Sequence, residues 1–393
     1  MRLAIDATPV VPGRKGLGVV IEGFLDEMAP RPQSRSWIAY VDGTHADEAR
    51  RRWPSLDVRP VRLRPSVLWE GAILPRRARR DGARLVFTGR DRTLCEPRAA
   101  TVVYLFEVPD HRTQALLESG APRLAKAVAK YSLWRFRKIA GKVSHFIVSS
   151  RATGRELREK YGIREDRIHV VHPGISERFR LPGSADAKQA ARDRFCGGRA
   201  YVLHFATGDP RENTKVALAS FARMISHTGA DLALLLVGVK PSDIRGLREQ
   251  GESLGIGPGL CFLARVDDDT LVSVYQGAEA YLDPTLYEGF GLQLAEAMAC
   301  GVPVISSNVT SVPEVVGDAG FLLAPDDEVS FAGALERVLS NRGLCTQLAE
   351  KGSARATLFT WPAAAARIVE LLEQFSRESN GRTEAGDQVG SAG

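Results

Sequence analysis

What this 393-residue chain lacks is the first constraint on it. It has no run of about 18 apolar residues, so no helix is expected to span a membrane. Cysteine is scarce: five residues, at 95, 196, 261, 300 and 345, with no Cys-x-x-Cys pair. That spacing suggests neither a disulfide framework nor a zinc site, and the cytosol is the expected compartment. The early glycines miss the Gly-x-Gly-x-x-Gly pattern, because Gly16 and Gly18 fit but Ile21 stands at the third position. No suitably placed acidic residue ends a second strand either, so a hydride-transfer site is not expected. Asp267, Asp268 and Asp269 read as a helix N-cap and charged first turn rather than a metal site. Aromatic residues make up 7% of the chain, and no aromatic-interleaved nucleic-acid motif supports a nucleic-acid reading. Met1 to Asp6 reads as a first strand, since its apolar run breaks off too early for a signal peptide.

What is present marks a globular protein of two domains: 44% apolar and 25% charged residues in a chain too long for one ordinary core. Strand-like and helix-like segments alternate throughout, which predicts parallel sheets with helices on both faces. The first unit is expected over residues 1–185 and the second over 198–358, joined by a polar linker. An amphipathic helix over 359–377 is expected to cross back to the first unit. Residues 378–393 have almost no apolar content and are expected to be disordered. Two such units would face each other across a cleft, where ligands tend to sit.

Charge divides unevenly. Residues 1–180 hold 35 Lys and Arg against 20 Asp and Glu, whereas the remainder holds 18 against 27. The basic clusters include Arg50–Arg52, Arg76–Arg80 and the helix-like stretch Arg123–Lys142. The last mixes Lys126, Lys130 and Lys138 with Leu124, Val128 and Trp134. A solvated face, contact with an anionic membrane and an anionic acceptor are the readings open to it.

The most informative segment begins where a short apolar strand, Ala278 to Asp283, is stopped by Pro284. Tyr287-Glu288-Gly289-Phe290-Gly291-Leu292 follows, and a helix runs from about Gly291 to Cys300. Gly289 and Gly291 permit a tight turn and a close backbone approach. The helix start offers free N–H groups and a positive dipole end, which suit a phosphate. Glu288 and Glu296 lie eight residues apart, about 12 Å along a helix. That is the scale of a nucleotide sugar's diphosphate and its flanking rings.

Asp283 to Asp327, with this pair of glutamates, resembles the donor site of the retaining family 4 glycosyltransferases. The resemblance implies an α/β fold of two Rossmann-like domains (GT-B) and a nucleotide diphosphate sugar as co-substrate. In that family one glutamate meets the sugar and the other the ribose, so Glu288 takes the first role here and Glu296 the second. Gly289, Phe290, Gly291 and Leu292 would form the phosphate turn, and the backbone at Val266 would hold the base. Gly16 and Gly18 resemble the family's glycine-rich loop in the first domain. His172, before Pro-Gly, reads as structural.

Two stations depart from the pattern. Phe106 stands where members carry histidine, and Glu107 where they carry aspartate, with His111 a substitute in the following loop. An aromatic ring cannot give a sugar hydroxyl the hydrogen bond an imidazole gives. Thr207 and Glu212 stand where an arginine and a lysine usually neutralise the diphosphate, leaving Arg211 and Lys215 as replacements. The expected activity is transfer of a sugar to an acceptor hydroxyl without a metal or other cofactor. The alternative is a catalytically silent nucleotide-sugar-binding partner. The expected partners are the nucleotide sugar donor, a hydroxyl-bearing acceptor and, by peripheral contact, an anionic membrane at the inner surface, with no nucleic acid.

Overall fold

The structure is a computed structural model that describes residues 2–11, 16–62, 69, 73–89, 100–118, 120–180 and 183–389, with side chains through Glu378. The chain divides into two compact units. One takes in the chain up to Thr113, Pro122–Gly174 and Thr360–Gly393; the other takes in Gln114–Ala121 and Ile175–Phe359.

In the first unit, seven parallel strands are ordered β3-β2-β1-β4-β5-β6-β7 among the described residues. They are β1 (Leu3–Asp6), β2 (Ile38–Asp42), β3 (Asp57–Val61), β4 (Leu85–Thr88), β5 (Ala100–Leu105), β6 (His145–Val148) and β7 (Ile168–Val170). The connecting helices are α1 (Leu17–Met28), α2 (Ala46–Arg52), α3 (Leu74–Arg80), α4 (Pro109–Glu118, of which residues from Gln114 on belong to the other unit), α5 (Arg123–Ile139) and α6 (Arg151–Tyr161). Every residue of β1 and β4 is buried, as strands covered on both faces must be. Ser150 caps α6 by accepting the N–H of Thr153, and Gly162 closes it in the left-handed region.

The second unit repeats the plan. Its helices are α7 (Ala185–Cys196), α8 (Thr214–Thr228), α9 (Pro241–Ser253), α10 (Asp268–Gly277), α11 (Leu292–Ala299), α12 (Val312–Val316), α13 (Glu328–Ser340) and α14 (Arg342–Ala356). Its strands are β8 (Tyr201–Phe205), β9 (Ala233–Val237), β10 (Leu260–Leu263), β11 (Ala278–Asp283), β12 (Val304–Ser307) and β13 (Gly320–Leu323). They are parallel and ordered β10-β9-β8-β11-β12-β13. From β8 the chain builds outward through β9 and β10, then returns to place β11 on the other side of β8. The strand order therefore reverses between β8 and β11, the place where open parallel sheets form a crevice at their carboxyl ends.

The last helix, α15 (Trp361–Val389), returns to the first unit. It packs on α1 and β5 and buries Ile368, Leu371, Leu372 and Phe375 in that unit's core. Gly23 is required for this approach, because a Cβ there would lie 2.4 Å from the Trp361 ring.

Three segments differ from expectation. The polar stretch before β8 is no linker: α7 lies there, capped by Ser184 and closed by Gly197, and it packs on α10 in the second unit. Its polar sequence is that of a helix buried only at Ala191 and Cys196 among its residues. The change of unit comes earlier, at Gly174. The final helix also continues past Arg377, through backbone whose composition had suggested disorder.

Candidate functional site

The residues singled out in the second unit gather at one edge of its sheet. Val266 follows β10, Thr207 follows β8 and Glu288 follows β11; Thr310, which sequence reading did not single out, follows β12. These turns lie at the carboxyl ends of parallel strands, with those of Thr207 and Glu288 flanking the reversal in strand order.

The Glu288 turn is held by its backbone. The Glu288 N–H donates to the Thr310 hydroxyl at 3.0 Å, and that hydroxyl donates back to the Glu288 carbonyl at 2.9 Å. Ser311 Oγ lies 2.8 Å from the same carbonyl and 3.0 Å from that of Phe290. Thr310 itself sits at φ +46°, a strained conformation for a β-branched residue that these bonds sustain. Phe290 is fully buried, edge-on to Phe359 at 5.3 Å. Gly291 caps α11 at φ +92°, and a Cβ there would fall 2.7 Å from Leu294 Cδ1. Leu292 opens the helix, whose first N–H groups have no acceptor within it. The Glu288 side chain is half-buried.

Glu296 lies within α11 and accepts a hydrogen bond from the Tyr275 hydroxyl at 2.9 Å. Burial pushes its carboxyl up to about 8, against the lowering effect of that bond. Asp283, at the end of β11, is buried and pushed up to about 7, first by burial and further by the charge of Glu212. Ser306 donates to its carboxylate at 3.1 Å.

The turn after β8 is locked to that after β11. Asn213, at φ +53°, donates its side-chain amide to the carbonyls of Pro284 and Pro325. Leu286 N–H and the Thr285 hydroxyl both donate to the Arg211 carbonyl. Buried His204 donates Nδ1–H to the Leu282 carbonyl, so its Nε2 accepts from the Thr214 hydroxyl at the start of α8. Burial pushes this imidazole down to about 4 and keeps it neutral.

The two departures noted in this turn have a structural counterpart. Glu212 accepts from the N–H and hydroxyl of Thr207. Arg211 pairs with Asp209, at 2.7 Å, and lies over the Tyr287 ring at 6.0 Å from its centroid. Lys215 is exposed at the second position of α8. Sequence reading missed Lys240, in the turn after β9. Its Nζ and Asp243 Oδ2 approach the Gly208 backbone, 3.3 and 3.2 Å from where a Cβ would stand. The signal was its position just beyond a buried apolar strand.

In the first unit, Gly16 caps α1 at φ +46° and Gly18 is buried in that helix, whereas Pro12–Lys15 lie outside the described residues. Phe106 packs against the core, and its carbonyl accepts the Ser149 hydroxyl at 2.6 Å; Glu107 beside it is half-buried. His111 corrects an expectation: it belongs to α4 rather than a loop. Its Nε2 lies 2.6 Å from Glu156 and 2.9 Å from Lys160, both on α6. The imidazole thus joins two helices of the first unit. No group of three or more His, Cys, Asp or Glu among the described residues is arranged to hold a metal ion.

Two family models match this chain: "Glycosyltransferase Family 4" over residues 16–179 and "Glycosyl transferases group 1" over residues 187–355. The serotype-specific mannosyltransferase WbdA of Escherichia coli is 27% identical over 240 residues, 60% of this chain and 29% of that protein. The O-antigen chain mannosyltransferase B of Escherichia coli is 35% identical over 164 residues, 41% of this chain and 42% of that one. The chain thus spans well under half the length of these two relatives. Anabaena Alr3699/HepE in complex with UDP-glucose has a similar structure, with a TM-score of 0.73 at 17% identity over 95% of this chain and 99% of that one. That likeness concerns the fold. With family models matching both halves and two parallel-sheet units of GT-B type, the chain belongs to the family 4-type glycosyltransferases.

Proposed function

We propose that this chain is a retaining glycosyltransferase that moves a sugar from a nucleotide diphosphate sugar to an acceptor hydroxyl. The observation that carries the reading is the gathering of Thr207, Val266 and the Glu288 turn at the carboxyl edge of one sheet, about its strand-order reversal. The base lies against the Val266 backbone, and the diphosphate meets the N–H groups of Gly289–Leu292 at the start of α11. Glu288 contacts the sugar and Glu296 the ribose. Thr207, Arg211 and Lys215 complete the phosphate side. In the first unit, Gly16 and Gly18 are assigned to donor binding and Phe106 and Glu107 to the acceptor.

The reaction breaks the bond from the anomeric carbon to the donor phosphate, and the departing diphosphate keeps the electron pair. An oxocarbenium-like centre forms, the acceptor oxygen bonds to it on the same face, and the acceptor proton passes to the leaving phosphate. The chain's contribution is positioning and stabilisation of the leaving charge. We assign that stabilisation to the α11 N-terminus, Lys215 and Arg211, without a metal. The cytoplasm is the proposed compartment, since Cys196, Cys261, Cys300 and Cys345 are free thiols. The named mannosyltransferase relatives make mannose the first donor sugar to test.

Melting shifts with UDP, GDP, dTDP and ADP and their sugar conjugates test the donor site. A ligand at a hundred times its dissociation constant adds about 2.7 kcal/mol of stability. A shift with one nucleotide family supports the reading, and none with any removes it. A second reading, a silent nucleotide-sugar-binding partner, is favoured by the Arg211–Asp209 pair and the Glu212–Thr207 bonds. Binding without transfer or donor hydrolysis would select it.

A further inference from the structure

Helix α5 carries six Lys or Arg and no Asp or Glu in its 17 residues. Ser132, Phe136 and Ile139 are its buried side. The side next to it is not simply a charged, solvated face. Leu124, Val128, Tyr131 and Trp134 stand on it at 76, 39, 41 and 54% exposure. Their spacing of four, three and three residues places them in one stripe. Four of the nine exposed large apolar side chains among the described residues sit on this helix, which makes a patch rather than scatter. Tyr131 and Trp134 lie beside each other, with ring centroids 5.9 Å apart.

Exposed Arg123, Lys130 and Lys138 flank the stripe, with Lys142 just beyond the helix. Arg137 turns to Asp110 of α4 at 3.0 Å, so that acid is engaged away from the stripe. An apolar stripe bordered by cations on a helix without acids matches a surface that is apolar below and anionic above. A protein partner of opposite charge would match the cations and leave the aromatic pair unexplained. We propose that α5 docks the first unit on an anionic lipid bilayer, with Leu124, Tyr131 and Trp134 entering the headgroup boundary and Lys130 and Lys138 on lipid phosphates. No described helix is long and apolar enough to cross a membrane, so the contact is peripheral. The inference does not depend on the donor-site reading.

The test is co-sedimentation of the full chain with vesicles of phosphatidylcholine alone or mixed with phosphatidylglycerol. Binding is expected only to the mixed vesicles and is expected to weaken as salt is raised. K130Q/K138Q should weaken it about thirtyfold, at about a tenfold loss per 1.4 kcal/mol and about 1 kcal/mol per basic residue. L124Q/W134Q should abolish it. All four side chains are exposed, so melting temperatures and nucleotide-induced melting shifts should match those of the unsubstituted chain. This separates failure of the membrane face from failure of the donor site. Tryptophan emission should move to the blue on the mixed vesicles, and W134F should remove most of that shift. Absence of binding, equal binding to neutral vesicles, or wild-type binding by L124Q/W134Q would overturn the proposal. A dimer lost in L124Q/W134Q, without vesicle binding, would assign the stripe to a second copy and overturn it too.

Discussion

Glu212 accepts two hydrogen bonds from Thr207, from its N–H at 2.7 Å and from its hydroxyl at 2.5 Å. A carboxylate thereby occupies donors that the proposed phosphate site would need. The same anion helps hold a proton on Asp283. A turn in which two acids and one arginine are internally matched is less welcoming to a diphosphate than one with free cations.

E212Q tests this balance. Loss of the charge-assisted bonds should lower stability by about 1–2 kcal/mol. Removing the like charge should tighten nucleotide diphosphate binding about fivefold, the effect of about 1 kcal/mol between charges near water. Chemical denaturation and calorimetric titration read the two changes separately. Weaker binding by E212Q would instead make Glu212 a ligand-contacting group.

The Glu288 turn is fixed by Thr310 and Ser311 through the Glu288 backbone, so E288Q should keep the fold. Its melting temperature should change little and its nucleotide-induced melting shift should persist. Transfer should fall at least a hundredfold, the usual loss when one group stabilising developing charge is removed. Turnover near wild type would take Glu288 out of the site.

The alternation of strands and helices and the Gly-rich turn before α11 were legible because they rest on local signals. β11 is an apolar run stopped by Pro284, and Asp267 accepts the Thr270 N–H as an N-cap should. The α7 helix was not legible, because its small buried face leaves no apolar period to read. His111 was misplaced for a related reason: α4 is mostly polar, and its imidazole finds Glu156 45 residues away. The Arg211–Asp209 pair was closer in sequence, yet only the turn's shape directs Arg211 back to Asp209. Lys240 was missed because its neighbour Gly208 belongs to another strand's turn.

Gly23 should be intolerant of even one methyl group. Its missing Cβ makes room for the Trp361 ring, where α15 packs on α1. G23A should destabilise the first unit by about 1–3 kcal/mol, the cost of overpacking a filled core. Alanine's better helix propensity returns at most about 1 kcal/mol. W361A in the same background should relieve the clash, so the double substitution should cost less than the sum of the single ones. Denaturant unfolding of the four proteins measures that coupling, and strict additivity would refute the packing argument.

Glu296 should couple donor binding and stability to pH. Burial raises its carboxyl from 4.5 to about 8, so the folded chain holds a proton there that the unfolded chain releases. An acid with a raised folded value loses stability as pH rises from its unfolded to its folded value, and the loss is complete above it. Glu296 therefore opposes folding progressively between pH 4.5 and about 8. E296Q cannot ionise, so its stability relative to wild type should rise across that window and level off beyond it. If ribose hydroxyls donate to Glu296, donor binding favours the ionised form and releases a proton near pH 7. Calorimetry in buffers of different ionisation enthalpy should detect that release in the wild type and lose it in E296Q. Equal proton release by both proteins would exclude Glu296 as its source, and flat relative stability across the window would mean that its half-buried carboxyl is not protonated.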